Sequence, residues 1–184
     1  RNPEINYIGI ERYTSVLYRA LQKRELLTEE CGEEFPNLRY LCVDAKDLPN
    51  FFGKGEVDRI YINFCDPWPR KKNAKRRLTH RGFLEKYSRV LTPGGQIHFK
   101  TDNAPLFQFS LEEFQALDFP VQAVTWNLHE NGPVGIMTDY EEKFYTLGTP
   151  IHRCEVTLHP IEATEPAYEK SEDGENSAEE RGEA

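Results

Sequence analysis

Apolar residues fall along this chain in two alternating periods. Six short runs, residues 7–10, 38–43, 59–64, 96–100, 123–128 and 153–158, are rich in Ile, Val, Leu, Tyr and Phe and read as strands. Several are continuously apolar, as strands covered on both faces are. Between them the spacing changes to that of helices. Val16, Ala20, Leu21 and Leu27 mark one face of a helix over roughly 14–27. Phe83, Leu84, Tyr87, Val90 and Leu91 mark a second, with Thr79 as its expected N-cap and Pro93-Gly94-Gly95 as its stop. Leu106, Phe107, Leu111, Phe114 and Leu117 mark a third. Thr138 and Glu141 have the spacing of a capping box and predict a short fourth helix. Residues 28–37 read as a long loop. Strand–helix alternation predicts an α/β fold with a mostly parallel sheet, finished by antiparallel strands.

The pattern stops near Glu162. Residues 162–184 hold nine acidic and two basic side chains, a net charge of −7 out of −8 for the whole chain. They predict an acidic disordered tail behind a folded domain over 1–161. That domain, almost neutral overall, concentrates its positive charge. Of the eight residues from Arg70 to Arg77, six are basic. They follow Asp66-Pro67-Trp68-Pro69, in which two prolines stiffen the backbone around a carboxylate and an indole. A stiff turn beside a cationic run suits a polyanion met locally.

The remaining candidate chemistry lies at strand ends. In open parallel sheets ligands sit beyond the carboxyl ends of the strands, and four strands here are followed by acids: Glu11, Asp44, Asp66 and Asp102. Glu11 has the position of an acid that binds the ribose of an adenosine cofactor, a position shared by NAD and S-adenosylmethionine enzymes. No His or Cys joins these acids at ligand spacing, and no metal site is expected. Cys31, Cys42, Cys65 and Cys154 form no CxxC pair and read as free thiols of a reducing, cytoplasmic compartment. No apolar run is long enough for a membrane span. The first residue is Arg rather than Met, which predicts a chain truncated or processed at its start.

Asp66-Pro67-Trp68-Pro69 with Lys71, Lys72, Lys75, Arg76, Arg77 and Leu78 resembles the signature of bacterial tRNA (guanine-N7-)-methyltransferases of the TrmB type. So do Ile8-Gly9-Ile10-Glu11, His98-Phe99-Lys100-Thr101-Asp102 and Thr138-Asp139-Tyr140-Glu141-Glu142-Lys143-Phe144, in order over about residues 1–157. The resemblance implies a Rossmann-like class I methyltransferase sheet with helices on both faces. It implies methyl transfer from S-adenosylmethionine to N7 of the variable-loop guanosine, position 46, of tRNA. By the same resemblance Asp66 is the catalytic residue, and Glu11, Asp44 and Asp66 contact the cofactor. Arg70, Asp102, Thr138, Asp139, Tyr140 and Glu141 face the substrate. Lys71, Lys72, Asn73, Ala74, Lys75, Arg76 and Arg77 contact RNA. Arg70 stands where the family usually has Lys. The family's first strand and its glycine-rich loop have no counterpart here, so two exposed sheet edges are expected. Two rival readings are a catalytically silent tRNA-binding module that uses only the basic loop, residues 70–77, and a nicotinamide dehydrogenase. The second leaves residues 66–78 without a purpose.

Overall fold

A computed structural model describes residues 2–161 of the 184. The expected acidic tail, 162–184, lies outside the described residues. Six strands and four helices alternate: β1 (Tyr7–Glu11), α1 (Thr14–Cys31), β2 (Leu38–Cys42), β3 (Val57–Asn63), α2 (Arg81–Val90), β4 (Leu91–Thr101), α3 (Ala104–Ala116), β5 (Val121–Thr125), α4 (Asp139–Thr146) and β6 (His152–Thr157). Two 3-10 helices, Ala45–Asn50 and Lys71–Arg76, fill connections that carry no apolar period.

The strands form two sheets. β1 and β2 pair in parallel as a two-stranded ribbon, and β3-β4-β6-β5 form a four-stranded sheet. β3 and β4 are parallel, whereas β6 runs antiparallel to both β4 and β5, the antiparallel finish that the sequence predicts. Among the described residues, β1 and β3 each have a strand partner on one side alone.

The core belongs to the four-stranded sheet. Ile97 and Phe99 of β4, Cys154 and Val156 of β6, Leu84 and Tyr87 of α2, and Leu106, Phe107 and Phe114 of α3 are all buried. The α2 and α3 apolar positions match the sequence reading. Their polar ends are tied together: Arg81 donates to both oxygens of Glu113, at 2.8 and 3.1 Å, and through its amide at 2.7 Å. Partial burial by itself would lift the Glu113 carboxyl; the Arg81 bonds outweigh it and hold the group below the usual carboxylate range.

Three local expectations are corrected. The α2 N-cap is His80, whose ring nitrogen accepts from the Gly82 amide at 3.1 Å, because Thr79 turns inward to a buried hydroxyl pair with Ser110 at 2.7 Å. Helix α1 runs a turn beyond the predicted end and stops at Gly32, which adopts the left-handed conformation (φ +66°). Its predicted inner face is not buried either: Val16, Leu21 and Leu27 are exposed. Among the described residues α1 packs mainly on the small β1–β2 ribbon, which offers too little surface to cover it. Gly95, by contrast, answers to space: a Cβ there would lie 2.9 Å from the Thr92 carbonyl oxygen. Among the described residues no helix is long and apolar enough to cross a membrane.

Candidate active site

β3 leaves the sheet through a strained turn. Phe64 and Trp68 both adopt positive φ, +53° and +41°. Non-glycine residues pay about 1–3 kcal/mol each for such conformations, which persist where surrounding contacts over-determine them. Those contacts are visible. The Phe64 amide still donates to the Lys100 carbonyl of β4 at 2.9 Å. Pro67 and Pro69 fix the chain on either side of Trp68. Arg77 donates to the Pro67 and Trp68 carbonyls, at 3.0 and 3.1 Å, with its guanidinium 4.3 Å from the centre of the Phe109 ring. Arg76 lies 3.6 Å over the Trp68 ring. Asp66, exposed, sits at the centre of this turn.

A gap of about 1890 Å³ separates the ribbon from the larger sheet; it runs along the unpaired edges of β1 and β3, through residues 4–13 and 56–66, and its far end is a cleft at the carboxyl ends of the strands. It is lined by Glu11, Asp44, Phe64 and Asp66, and by Lys75 and Arg76 of the basic segment. Three of the four strand-end acids therefore share one space. Glu11 uses Oε1 to accept from the Tyr13 amide at 2.8 Å. Asp44 caps the 3-10 helix Ala45–Asn50 through Oδ1 and the Lys46 amide at 3.0 Å; its Oδ2 lies 3.8 Å from Arg12. Each acid thus anchors local backbone with one oxygen; the second oxygen of Asp44 faces the Arg12 guanidinium, whereas that of Glu11 makes no hydrogen bond among the described residues. Asp102, at the end of β4, is not among the lining residues and stands close to Tyr140. Burial first, and the Asp102 charge second, push the Tyr140 phenol above its usual range. Among the described residues no three or more His, Cys, Asp or Glu side chains converge as metal ligands do.

The capping box forms. Thr138 accepts from the Glu141 amide at 3.1 Å, and Glu141 reaches back to the Thr138 amide. Glu141, expected to face the substrate, is fully buried, with oxygens engaged by Lys100 Nζ at 2.8 and 3.1 Å and by His129 Nε2 at 2.9 Å. These contacts hold α4 against β4. Asp139 is exposed and ion-paired with Lys23 of α1. Tyr140 packs on Phe64, with ring centres 4.7 Å apart, and on Phe144 at 4.4 Å. Sequence reasoning passed over Phe64, Lys100 and His129. Lys100 sits two residues before Asp102 and was within reach of the same strand-end argument; nothing marks His129.

The basic segment folds as a helix rather than a loop. Arg70 is its N-cap and is exposed, as are Lys71, Lys72 and Lys75; Asn73 and Ala74 are half-buried. Arg76 and Arg77 are committed to Trp68, Pro67 and Phe109 as described above.

A family model described as "Putative methyltransferase" matches residues 1–154. The tRNA (guanine-N(7)-)-methyltransferase of Geobacillus sp. (strain WCH70) is 54% identical over 160 residues, 86% of this chain and 70% of that protein. The chain belongs to the tRNA (guanine-N7-)-methyltransferase family. The enzyme of that name from Geobacillus thermodenitrificans (strain NG80-2) is 49% identical, over 86% of this chain and 71% of its own length. A solved antibiotic-related methyltransferase shares the fold at 16% identity, with a TM-score of 0.53 over 84% of this chain and 75% of that one.

Cys65, next to Asp66, is no nucleophile in this family member. Burial pushes its thiol up to about 12, and Cys154 is lifted in the same way to about 12. Cys31 and Cys42 are exposed. In the native protein at pH 8 a thiol reagent is expected to label the exposed Cys31 and Cys42 quickly, the half-buried Cys65 slowly because its thiol stays protonated, and the buried Cys154 only on unfolding. Labelling of Cys65 as fast as that of Cys31, read by peptide mass mapping, would contradict the raised thiol.

Proposed function

We propose that this chain methylates N7 of the variable-loop guanosine of tRNA, using S-adenosylmethionine. The observation that carries the reading is the placement of Asp66: a strained, doubly braced turn sets it in the cleft that Glu11 and Asp44 also line, with a cationic helix directly after it. The donor set suits the cofactor. Carboxylates at the ends of neighbouring strands accept from vicinal ribose hydroxyls and from an adenine edge; Glu11 has an oxygen to offer, and Asp44 has one shared only with the Arg12 guanidinium at 3.8 Å. Bound there, S-adenosylmethionine supplies an electrophilic methyl group.

The protein's own task is positioning and charge. Guanine N7 carries an in-plane lone pair and no proton, so its methylation needs no strong base, consistent with a site that lacks a His–Asp or Cys–His pair. Asp66 can accept from guanine N1–H and N2–H, which orients N7 and favours the positive charge that the purine gains. Tyr140 backs Phe64 from outside the cleft, and the Asp102 charge is felt at its phenol, so both would act on the substrate through Phe64. Thr138 and Asp139 open α4 beside them, and Arg70 leads the basic helix with a planar guanidinium suited to a phosphate. Transfer of labelled methyl to tRNA, recovered as 7-methylguanosine after nuclease digestion, tests the reaction. Binding of tRNA without any transfer would instead support the silent RNA-binding module.

The division of labour among the cations gives a further expectation. Among the described residues Lys71, Lys72 and Lys75 have no side-chain partner, whereas Arg76 and Arg77 brace the Asp66 turn. Replacing the three lysines with Ala should weaken tRNA binding and flatten the log–log salt dependence by about 0.7–0.9 per lost phosphate contact, with unfolding unchanged. Replacing Arg77 with Ala should lower thermal stability as well. An unaltered salt slope in the triple variant would remove the basic helix from the RNA interface.

A further inference from the structure

Phe64 is the one residue between the sheet and Asp66 that combines a strained backbone, an aromatic ring and a place in the cleft lining. It is also the front of a row. Behind it stands Tyr140, ring centres 4.7 Å apart, and behind Tyr140 stands Phe144 at 4.4 Å, its plane within 24° of parallel. Of the three rings Phe64 alone lines the cleft. The row spans two elements, the exit of β3 and helix α4, and both are fixed. The Phe64 amide is bonded to β4, and α4 is locked to β4 by the buried Lys100–Glu141–His129 cluster. A ring held this firmly, in a conformation that non-glycine residues adopt at a cost, is preorganised for something flat.

We propose that Phe64 is the stacking platform for the target purine, and that the three-ring row favours that purine in its N7-methylated, cationic form. This rests on the functional reading above and deepens it. When the methyl group moves, its bond to the donor sulfur breaks with the electron pair left on sulfur, which becomes a neutral thioether. The new bond uses the N7 lone pair, no proton moves, and the positive charge passes to the purine. An aromatic face is electron-rich and attracts a cation stacked on it, the more so where water is excluded. Asp66 lies two residues from Phe64, and Asp102 adjoins Tyr140, so negative charge flanks the row. Neutral guanine also stacks on the ring, but the cation–π part of the attraction is absent there and grows as the charge arrives. It therefore stabilises the transition state more than the ground state.

The test is binding of mononucleotides to the full chain, followed by NMR titration: guanosine 5′-monophosphate against 7-methylguanosine 5′-monophosphate. The methylated nucleotide should bind roughly 2- to 30-fold tighter. Phe64→Leu, which keeps an apolar side chain without branching at Cβ but removes the aromatic face, should bring the ratio to about one, whereas Phe64→Tyr should preserve it. Equal binding of the two nucleotides by the unaltered chain, binding of neither, or an unchanged ratio in Phe64→Leu would overturn the proposal. A Phe64→Leu chain that loses S-adenosylmethionine relative to S-adenosylhomocysteine, with its nucleotide ratio intact, would place the ring at the sulfonium and overturn it too. Failure of the functional reading looks different: there tRNA itself would not bind, or Asp66→Asn would leave both nucleotides unaffected.

Discussion

Asp66→Asn is expected to lower methyl transfer to tRNA by about 10²–10³-fold, the range seen when a preorganised electrostatic group is removed from an active site, while tRNA affinity and thermal stability stay near those of the unaltered chain. The separation follows from how the turn is built. Arg77 holds it through the carbonyls of Pro67 and Trp68, and Arg76 through the Trp68 ring, not through the Asp66 carboxylate. Asn keeps the size and leaves those braces alone. It loses the charge that favours a cationic purine and replaces one acceptor with a donor, which repels guanine N1–H or N2–H. The side chain is exposed, so folding should change by no more than about 0.5 kcal/mol. Methyl incorporation near that of the unaltered protein would make Asp66 a turn residue and move the active site elsewhere.

Glu141→Ala is expected to be among the most destabilising single changes in the chain, about 3–5 kcal/mol in denaturant unfolding. Glu141 is completely buried, Lys100 is mostly so, and His129 approaches the same carboxylate from a third segment. Removing the acid leaves an ammonium with no counter-charge in a desolvated site. It also deletes half of the α4 capping box. Against a typical total of about 5–15 kcal/mol this is a large share. The paired change Lys100→Met with Glu141→Leu removes both charges at once and should recover part of the loss, which a simple cavity would not. A loss below about 1 kcal/mol for the single variant would mean that the cluster contributes little. Methyl transfer should fall in Glu141→Ala as well, because Tyr140 is its neighbour in the same helix turn.

The apolar period carried most of the architecture. α2 and α3 bury the residues whose spacing marked them, and all six strands overlap their predicted runs, because those elements pack against a sheet large enough to reward the pattern. α1 shows the limit of the same signal: a stripe of apolar side chains implies burial only where a partner exists, and the β1–β2 ribbon supplies little. Thr79 was misassigned because a threonine before a helix suits both a cap and a buried hydroxyl pair, and only the position of Ser110, 31 residues away, decides. The strand-end rule found the acids of the cleft. It could not find the Glu141 cluster, whose three members lie at 100, 129 and 141 and meet through tertiary packing alone. Nor does a run of lysine and arginine reveal which cations are spoken for; the aromatic faces that claim Arg76 and Arg77 are set by the fold.

The chain has two tryptophans, and their surroundings differ in kind. Trp126, 45% exposed, rests edge-on against the buried Phe107 and His152, with no cation over its ring among the described residues. Trp68 lies beneath a guanidinium at the rim of the cleft. An anion that draws Arg76 away from the indole removes a positive charge from the excited-state environment of one tryptophan and leaves the other as an internal reference. The unlabelled protein thus carries its own optical report on the approach of RNA, with a Trp126→Phe variant isolating the signal.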